Sequence, residues 1–203
     1  MPGTSLDICN DALIRLGDRL ISSLNDGTPT ADLLKNRYDI SRRKVLRSHP
    51  WKRLRKRATL APLATKPEFQ WGYQFPLPSD CLRLWLVVDQ RDGAAINEWE
   101  LEGQNILSDE SILYIKYIKD EENVDLLDDS LNEIISLQLA KELAFSRSGD
   151  GSLYDRIENE FRIKFAEARS IDSKEDYQKT IAANEWTNSH EAGLQPTRYP
   201  NLA

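Results

Sequence analysis

The chain has 203 residues, of which 40% are hydrophobic and 30% are charged, the ordinary composition of a folded domain. No apolar run reaches the ~18 residues that a membrane-spanning helix needs. The N-terminus also lacks the basic and apolar regions of a secretion signal. We therefore expect no membrane partner and no signal peptide.

The chain has few cysteines and histidines. Its two cysteines, Cys9 and Cys81, and its two histidines, His49 and His190, are far apart in the sequence and lack the spacing of a zinc site. Free cysteines are commonly buried. We therefore expect two buried thiols, no disulfide, no metal and no cofactor.

The net charge of −6 is distributed unevenly. Residues 35–57 form a basic segment with eleven basic residues and one acid, Asp39, so that this stretch carries +10 and the rest of the chain −16. Such an asymmetry predicts that one face meets phosphate or an acidic protein surface.

Two helices are predicted before residue 50. Thr4 and Asp7 have the spacing of a capping box, and Gly17 is placed to end the first helix in a left-handed turn. Thr28 and Pro29 are a typical start for the second helix. The second helix should end near His49, because a residue that precedes proline avoids the helical region.

The apolar period then shortens to two, which is typical of strands. Strands are expected over residues 69–75, 82–88, 96–101, 105–107 and 112–118. Helical spacing returns after an acidic loop at residues 120–129, with Ser130 and Glu133 as a second capping box. The wide apolar surface of the helix that follows indicates burial on several sides. A second helix over residues 153–168 should pack antiparallel against it.

These patterns predict a mainly helical α+β fold. Residues 1–62 and 119–183 would form an antiparallel helical bundle, and residues 63–118 an inserted small antiparallel sheet or barrel. Residues 184–203 are polar, with too little apolar surface to fold alone. This composition suits either a disordered tail or an arm whose aromatic residues anchor on a partner, and we interpret the segment as an extended C-terminal arm.

Several segments, in order, carry a resemblance that covers roughly the whole chain: ICNDALIRLG, ISSLNDGTPTA, RYDISRRKVLRSHPW, KRATLAP, FPLPSDCLRLWLV, ELEGQNILSDESILYIKYI, LAKELAF and NEWTNSH. Their series resembles the tail tubular protein A family, the head-to-tail adaptors of short-tailed bacteriophages. The sequence departs from the family after Trp51, where Lys52, Arg53 and Leu54 replace a small polar and aromatic pair.

The resemblance implies a structural subunit of the virion, located in the neck of the phage tail and assembled in the host bacterial cytoplasm. Copies would form a ring, usually twelvefold, between the portal protein and the tail nozzle (tail tubular protein B-like), with genomic DNA passing through the lumen. The C-terminal arm would bind the portal through Trp186, Arg198, Tyr199 and Pro200. We expect the arm to become ordered only on binding, so that the free protein stays monomeric until the portal templates the ring.

We expect the ring to be built by the helices, mainly residues 131–168 and 34–47. The inserted sheet or barrel at residues 63–118, which we call the β module, should face the distal tail protein. Two partners fit the basic segment: an acidic surface of a neighbouring protein, or DNA in the lumen. The residues concerned are Arg42, Arg43, Arg47, Lys52, Arg53 and Arg55. We favour the protein partner, because a channel that must release DNA quickly should not hold it with many basic contacts.

Two alternatives to an adaptor remain. One is a nucleic-acid-binding regulatory protein that uses the basic segment. The other is an enzyme, which we do not expect: Ser79 and Asp80 lack the Gly-x-Ser-x-Gly turn of a catalytic serine. Glu98, Glu100 and Glu102 have the spacing of a solvated strand edge rather than of a glycosidase carboxylate pair.

Overall fold

The computed structural model describes residues 3–88, 94–148 and 151–175 of the chain. These residues form an α+β fold, with helices on both sides of a set of short strands in the sequence. In chain order the elements are α1 (Ser5–Leu16), α2 (Pro29–Ser48), β1 (Arg55–Leu60), β2 (Tyr73–Pro76), β3 (Cys81–Val88), β4 (Glu100–Glu102), β5 (Asn105–Ser108), β6 (Leu113–Lys119), α3 (Asp129–Ser148) and α4 (Gly151–Lys174).

The first two helices begin and end where the sequence predicts. The Asp7 amide donates to Thr4 Oγ1 at 3.2 Å and the Thr4 amide to Asp7 Oδ2 at 2.8 Å, which completes the capping box of α1. Gly17 ends α1 with a φ of 73°, a conformation that glycine adopts without strain. Thr28 caps α2, and α2 ends at Ser48, before His49.

α3 lies at the centre of the helical part. It contacts α1, α2 and α4, and most of its described side chains are buried, which confirms the predicted burial on several sides. α4 runs in the opposite direction, since Lys141 pairs with Glu158 at 2.9 Å whereas Glu133, earlier in α3, pairs with Lys164 further along α4.

The predicted capping box at the start of α3 is wrong. The helix begins at Asp129, and the Leu131 amide donates to Asp128 Oδ1 at 2.7 Å. Asp128 is therefore the capping residue, and Ser130 lies inside the first turn. Both are residues of the type that caps helices, so the sequence allowed either.

The strands form two small antiparallel sheets. The first has the order β1-β6-β3 and the second the order β2-β5-β4. β1 begins at Arg55, before the predicted boundary at residue 63, because the three consecutive basic residues 55–57 pair with β6. The strands predicted at 69–75 and 96–101 are shorter, being reduced to Tyr73–Pro76 and Glu100–Glu102.

The two sheets pack face to face over a core of their own. Buried residues of the first sheet (Leu60, Val87, Leu113, Ile115 and Tyr117) cluster with Phe75 and Ile106 of the second. A separate, larger cluster fills the helical part and includes Ile118 at the end of β6. The β module is thus a two-layer sandwich attached to the helices at one end of its first sheet.

Two further predictions concern burial and membranes. Cys9 is fully buried, whereas Cys81 is only partly buried, and both thiols are free. Within the described ranges, none of the helices is long and apolar enough to cross a bilayer. The C-terminal arm, with Trp186, Arg198, Tyr199 and Pro200, lies outside the described residues.

Candidate functional site

The basic segment covers most of α2, the turn that follows it and the first three residues of β1. Arg42, in α2, is 1% exposed. Its Nη1 lies 2.7 Å from Asp120 Oδ1 and also donates to the backbone carbonyl of Glu121. Its role as an interface or DNA-facing residue is therefore corrected: α2 turns this side chain inward, and its charge is compensated within the chain.

Several exposed members of the segment are also paired. Arg43 binds the second oxygen of Asp120 at 2.7 Å, and Lys44 binds Glu142 at 2.6 Å. Arg53 lies 3.8 Å from Asp128. The loop at residues 120–129, which the sequence presents only as a charged loop, thus supplies through Asp120 the partner of two consecutive arginines of α2.

Arg47 and Lys52 interact with backbone groups. Arg47 donates to the Leu82 carbonyl at 2.7 Å, and Arg83 of the same strand donates back to the Arg47 carbonyl at 3.0 Å. The Lys52 side chain donates to the Ser173 carbonyl at 2.9 Å. These contacts join α2 to β3, and the turn after α2 to the end of α4.

Asp172 is the residue that sequence reasoning missed in this region. It is 8% exposed; its Oδ1 accepts from the Lys52 amide at 2.8 Å and its Oδ2 lies 3.1 Å from His49 Nε2. A single aspartate near the end of an amphipathic helix gives no sequence signal of such a role. Beside it Trp51 is buried and packs edge-on against Phe165, with ring centroids 5.8 Å apart.

The outer side of the first sheet holds further basic side chains, of which Arg55 also donates to the Pro50 carbonyl at 2.9 Å. Arg57 lies directly opposite Lys116, and Arg55 is opposite Ile118. Residues directly opposite share one side of a sheet. This side is the one that faces away from the second sheet, because the alternate residues Leu113, Ile115 and Tyr117 fill the sandwich core. Arg55, Arg57, Lys116 and Trp85 form what we call the basic face.

The basic face combines like charges with an aromatic side chain. Two cations directly opposite each other destabilise a strand pair, and neither Arg57 nor Lys116 forms an ion pair with any residue that the structure describes. The Arg55 guanidinium carbon lies 4.1 Å from the centre of the Trp85 ring, within cation–π range. These four residues, with Lys52 and Lys56, line a pocket of about 280 Å³.

A hydrogen-bonded triad lies at the rim of this sheet. Asp80 accepts from Lys56 Nζ at 2.8 Å and from the Tyr117 hydroxyl at 2.9 Å. The hydrogen bond from Lys56 lowers the pKa of the Asp80 carboxyl, against the effect of burial. Burial, followed by the bond to Asp80, raises the pKa of Tyr117. The triad compensates Lys56, which the basic face therefore does not include.

The outer side of the second sheet is acidic. Glu100 lies opposite Leu107 and Glu102 opposite Asn105, whereas the alternate residue Leu101 lies opposite the core residue Ile106. Glu100 accepts a hydrogen bond from Trp71 Nε1 at 3.2 Å. We call Glu100, Glu102 and the adjacent residues Glu68 and Phe69 the acidic face; with Gln70 and Trp71 they surround a pocket of about 260 Å³.

The loop that covers part of the acidic face has an unusual backbone. Gln70 has a φ of 71°, a left-handed conformation that is uncommon for residues other than glycine. Its neighbour Phe69 is 79% exposed. The acidic face therefore carries one large aromatic ring that the described residues leave mostly uncovered.

Comparisons with known proteins give no assignment. No protein-family model matches the chain, and no curated protein matches it significantly.

Proposed function

We propose that the chain is a structural head-to-tail adaptor of a tailed bacteriophage. In this role copies form a ring, usually twelvefold, that joins the portal to the tail nozzle and encloses the DNA channel. The proposal rests on the ordered series of segments that resemble the tail tubular protein A family. The quoted segments span helices and strands alike, from α1 with its Gly17 cap to β6 and the central helix α3.

The architecture supports a protein whose outer surfaces are covered by neighbours. The apolar side chains of α3 are buried in the core of the chain itself. They are therefore not exposed for the ring contact that the sequence predicts for residues 131–144. Exposed apolar side chains lie instead on the outer helices: Ile14 in α1 is 62% exposed, and Ile163 in α4 is 52% exposed. An antiparallel helical bundle with such outer residues suits packing between ring subunits.

The mechanism would be geometric and electrostatic rather than catalytic. Ring closure needs two different, complementary patches on each subunit. The arm, through Trp186, Arg198, Tyr199 and Pro200, would anchor the ring on the portal, and the β module would face the nozzle. The protein would then reside in the neck of the virion after assembly in the bacterial cytoplasm.

One observation favours the alternative of a nucleic-acid-binding protein. The basic face joins Arg57 and Lys116 with the Arg55–Trp85 stack, and cations beside aromatic rings suit nucleic-acid strands. The two functions separate in a gel-shift titration with a single-stranded oligonucleotide at low and high salt. Tight, steeply salt-dependent binding that Arg57→Glu abolishes supports the nucleic-acid protein, and no shift supports the adaptor.

Co-sedimentation with purified portal rings tests the adaptor directly. The full chain should sediment with the portal, and the double variant Trp186→Ala and Tyr199→Ala should stay in the supernatant. Asn188→Ala with Gln195→Ala, two polar positions of the same arm, is the matched control and should sediment normally. A full chain that never sediments with portals from tailed phages contradicts the proposal.

A further inference from the structure

The two sheets of the β module separate opposite charges. The strands of the first sheet carry six basic residues and no carboxylate: Arg55, Lys56, Arg57, Arg83, Lys116 and Lys119. The strands of the second sheet carry two carboxylates, Glu100 and Glu102, and no basic residue. Charge is thus sorted by layer, although the two layers alternate along the chain.

Strand register places these charges on opposite outer sides of the sandwich. Arg57 and Lys116 alternate with the core residues of β1 and β6, so they point away from the second sheet. Glu100 and Glu102 alternate with Leu101, which is paired with the core residue Ile106, so they point away from the first sheet. Within one chain the core therefore separates the basic face from the acidic face.

We propose that the basic face of one copy packs against the acidic face of the next copy. The contact is head-to-tail, because the two surfaces are different and lie on opposite sides of the same module. Repeated around an axis, it links successive sandwiches into a closed ring. This inference rests on the proposed function in taking a second copy of the chain as the partner, and it moves a ring contact from the helices to the β module.

A second copy fits these faces better than a nucleic acid does. The partner surface that Arg57 and Lys116 need is present on every copy, at Glu100 and Glu102, and complementary potentials fix both register and partner. The exposed ring of Phe69 on the acidic face would enter the pocket of about 280 Å³ on the basic face, where Trp85 and five cationic side chains offer cation–π contacts. A nucleic acid would use the basic face and leave the acidic face without a role.

Charge reversal tests the contact without any portal. Arg57→Glu with Lys116→Glu makes both faces acidic, and Glu100→Lys with Glu102→Lys makes both faces basic. The contact is expected to be too weak to assemble dilute free protein, which stays monomeric without the portal, and to become visible only toward ~1 mM protein. Sedimentation velocity at low salt should show that the wild type associates as its concentration rises to that value, and that added salt reverses the association. Each double variant alone should stay monomeric, and their equimolar mixture should associate as strongly as the wild type.

Three controls make the experiment decisive. Circular dichroism verifies that both variants fold. Arg19→Glu with Lys174→Glu applies the same charge change to exposed positions of the helical part and should leave association intact. The quadruple reversal should restore association, because each ion pair is then formed with its signs exchanged.

Four results would overturn the proposal: a wild type that stays monomeric throughout, association that ignores the reversals, a mixture that stays monomeric, or basic-face variants that lose only oligonucleotide binding. The outcome is independent of the adaptor proposal. A chain that associates in this way but does not bind portals supports the contact between the two faces and refutes the adaptor proposal. A chain that binds portals while the mixture stays monomeric supports the adaptor proposal and refutes the contact.

Discussion

Arg42 of α2 and Asp120 of the loop after β6 meet inside the protein, with 2.7 Å between Nη1 and Oδ1. The pair joins the most basic stretch of the chain to its most acidic loop. Asp120 also binds Arg43 through its other oxygen, so one carboxylate holds two consecutive arginines of one helix. Part of the charge asymmetry of the sequence therefore serves to hold α2 against the β module through ion pairs.

Loss of Arg42 should destabilise the protein far more than loss of Arg43. Arg42→Leu leaves Asp120 with a single exposed partner and should lower the free energy of unfolding by about 3 kcal/mol. The reason is that removal of one partner of a buried ion pair leaves the other charge poorly compensated and poorly solvated. Arg43→Leu removes a half-exposed side chain and should cost less than about 1 kcal/mol. Urea unfolding followed by tryptophan fluorescence measures both, and equal losses would refute the assignment.

The start of α3 offers a similar comparison. Asp128→Ala removes the side chain that caps the helix and should cost about 1 kcal/mol. Asp128→Asn should restore most of the loss, because asparagine also caps, and Ser130→Ala should be nearly neutral. Thermal unfolding of the three variants separates the cap from the residue that the sequence favoured. A larger loss for Ser130→Ala than for Asp128→Ala would contradict the structure.

The Lys56–Asp80–Tyr117 triad should make stability depend on pH. The hydrogen bond from Lys56 lowers the pKa of Asp80 below its ordinary value. The stabilisation is therefore fully present above the unfolded pKa and is lost as the pH falls through the folded one. At about pH 7 the free energy of unfolding of the wild type should exceed that of Asp80→Asn by about 1 kcal/mol. This difference should shrink below about pH 4. A difference independent of pH would exclude the triad.

Cys9 should resist thiol reagents in the folded protein. Burial raises the pKa of its thiol to about 12, so only about one molecule in 10⁴ carries the reactive thiolate at about pH 8. A Cys81→Ser variant, which retains Cys9 alone, should react with Ellman's reagent only as fast as it unfolds. The same variant in urea should react at once. Complete reaction on mixing without denaturant would show that Cys9 is accessible.

The sequence predicts the helices well because their signals are local. Thr4, Gly17 and Thr28 act on groups within a few residues, and hydrophobic spacing reveals that α3 is buried. β1 is harder to predict: residues 55–57 are consecutive basic residues, and only their pairing with β6 makes them a strand. Strand pairing of this kind depends on residues that are distant in the sequence.

The candidate site was predicted only in outline. The basic segment indicates a charged surface, but the sequence cannot tell which charges the chain compensates itself. Arg42 belongs to the basic segment but is buried in the protein, whereas Lys116 does not belong to the segment but lies on the basic face. The acidic face is visible in sequence only as Glu100 and Glu102 at a strand edge, and register with Ile106 is what places it opposite the basic one. Contacts between elements far apart in sequence decide both points.

Electron microscopy of the full chain mixed with a cognate portal tests the adaptor proposal most directly. The account predicts a second ring of copies stacked on the tail-facing side of the portal ring. Portal rings that remain bare, with the chain free in the background at concentrations well above that of the portal, would contradict it.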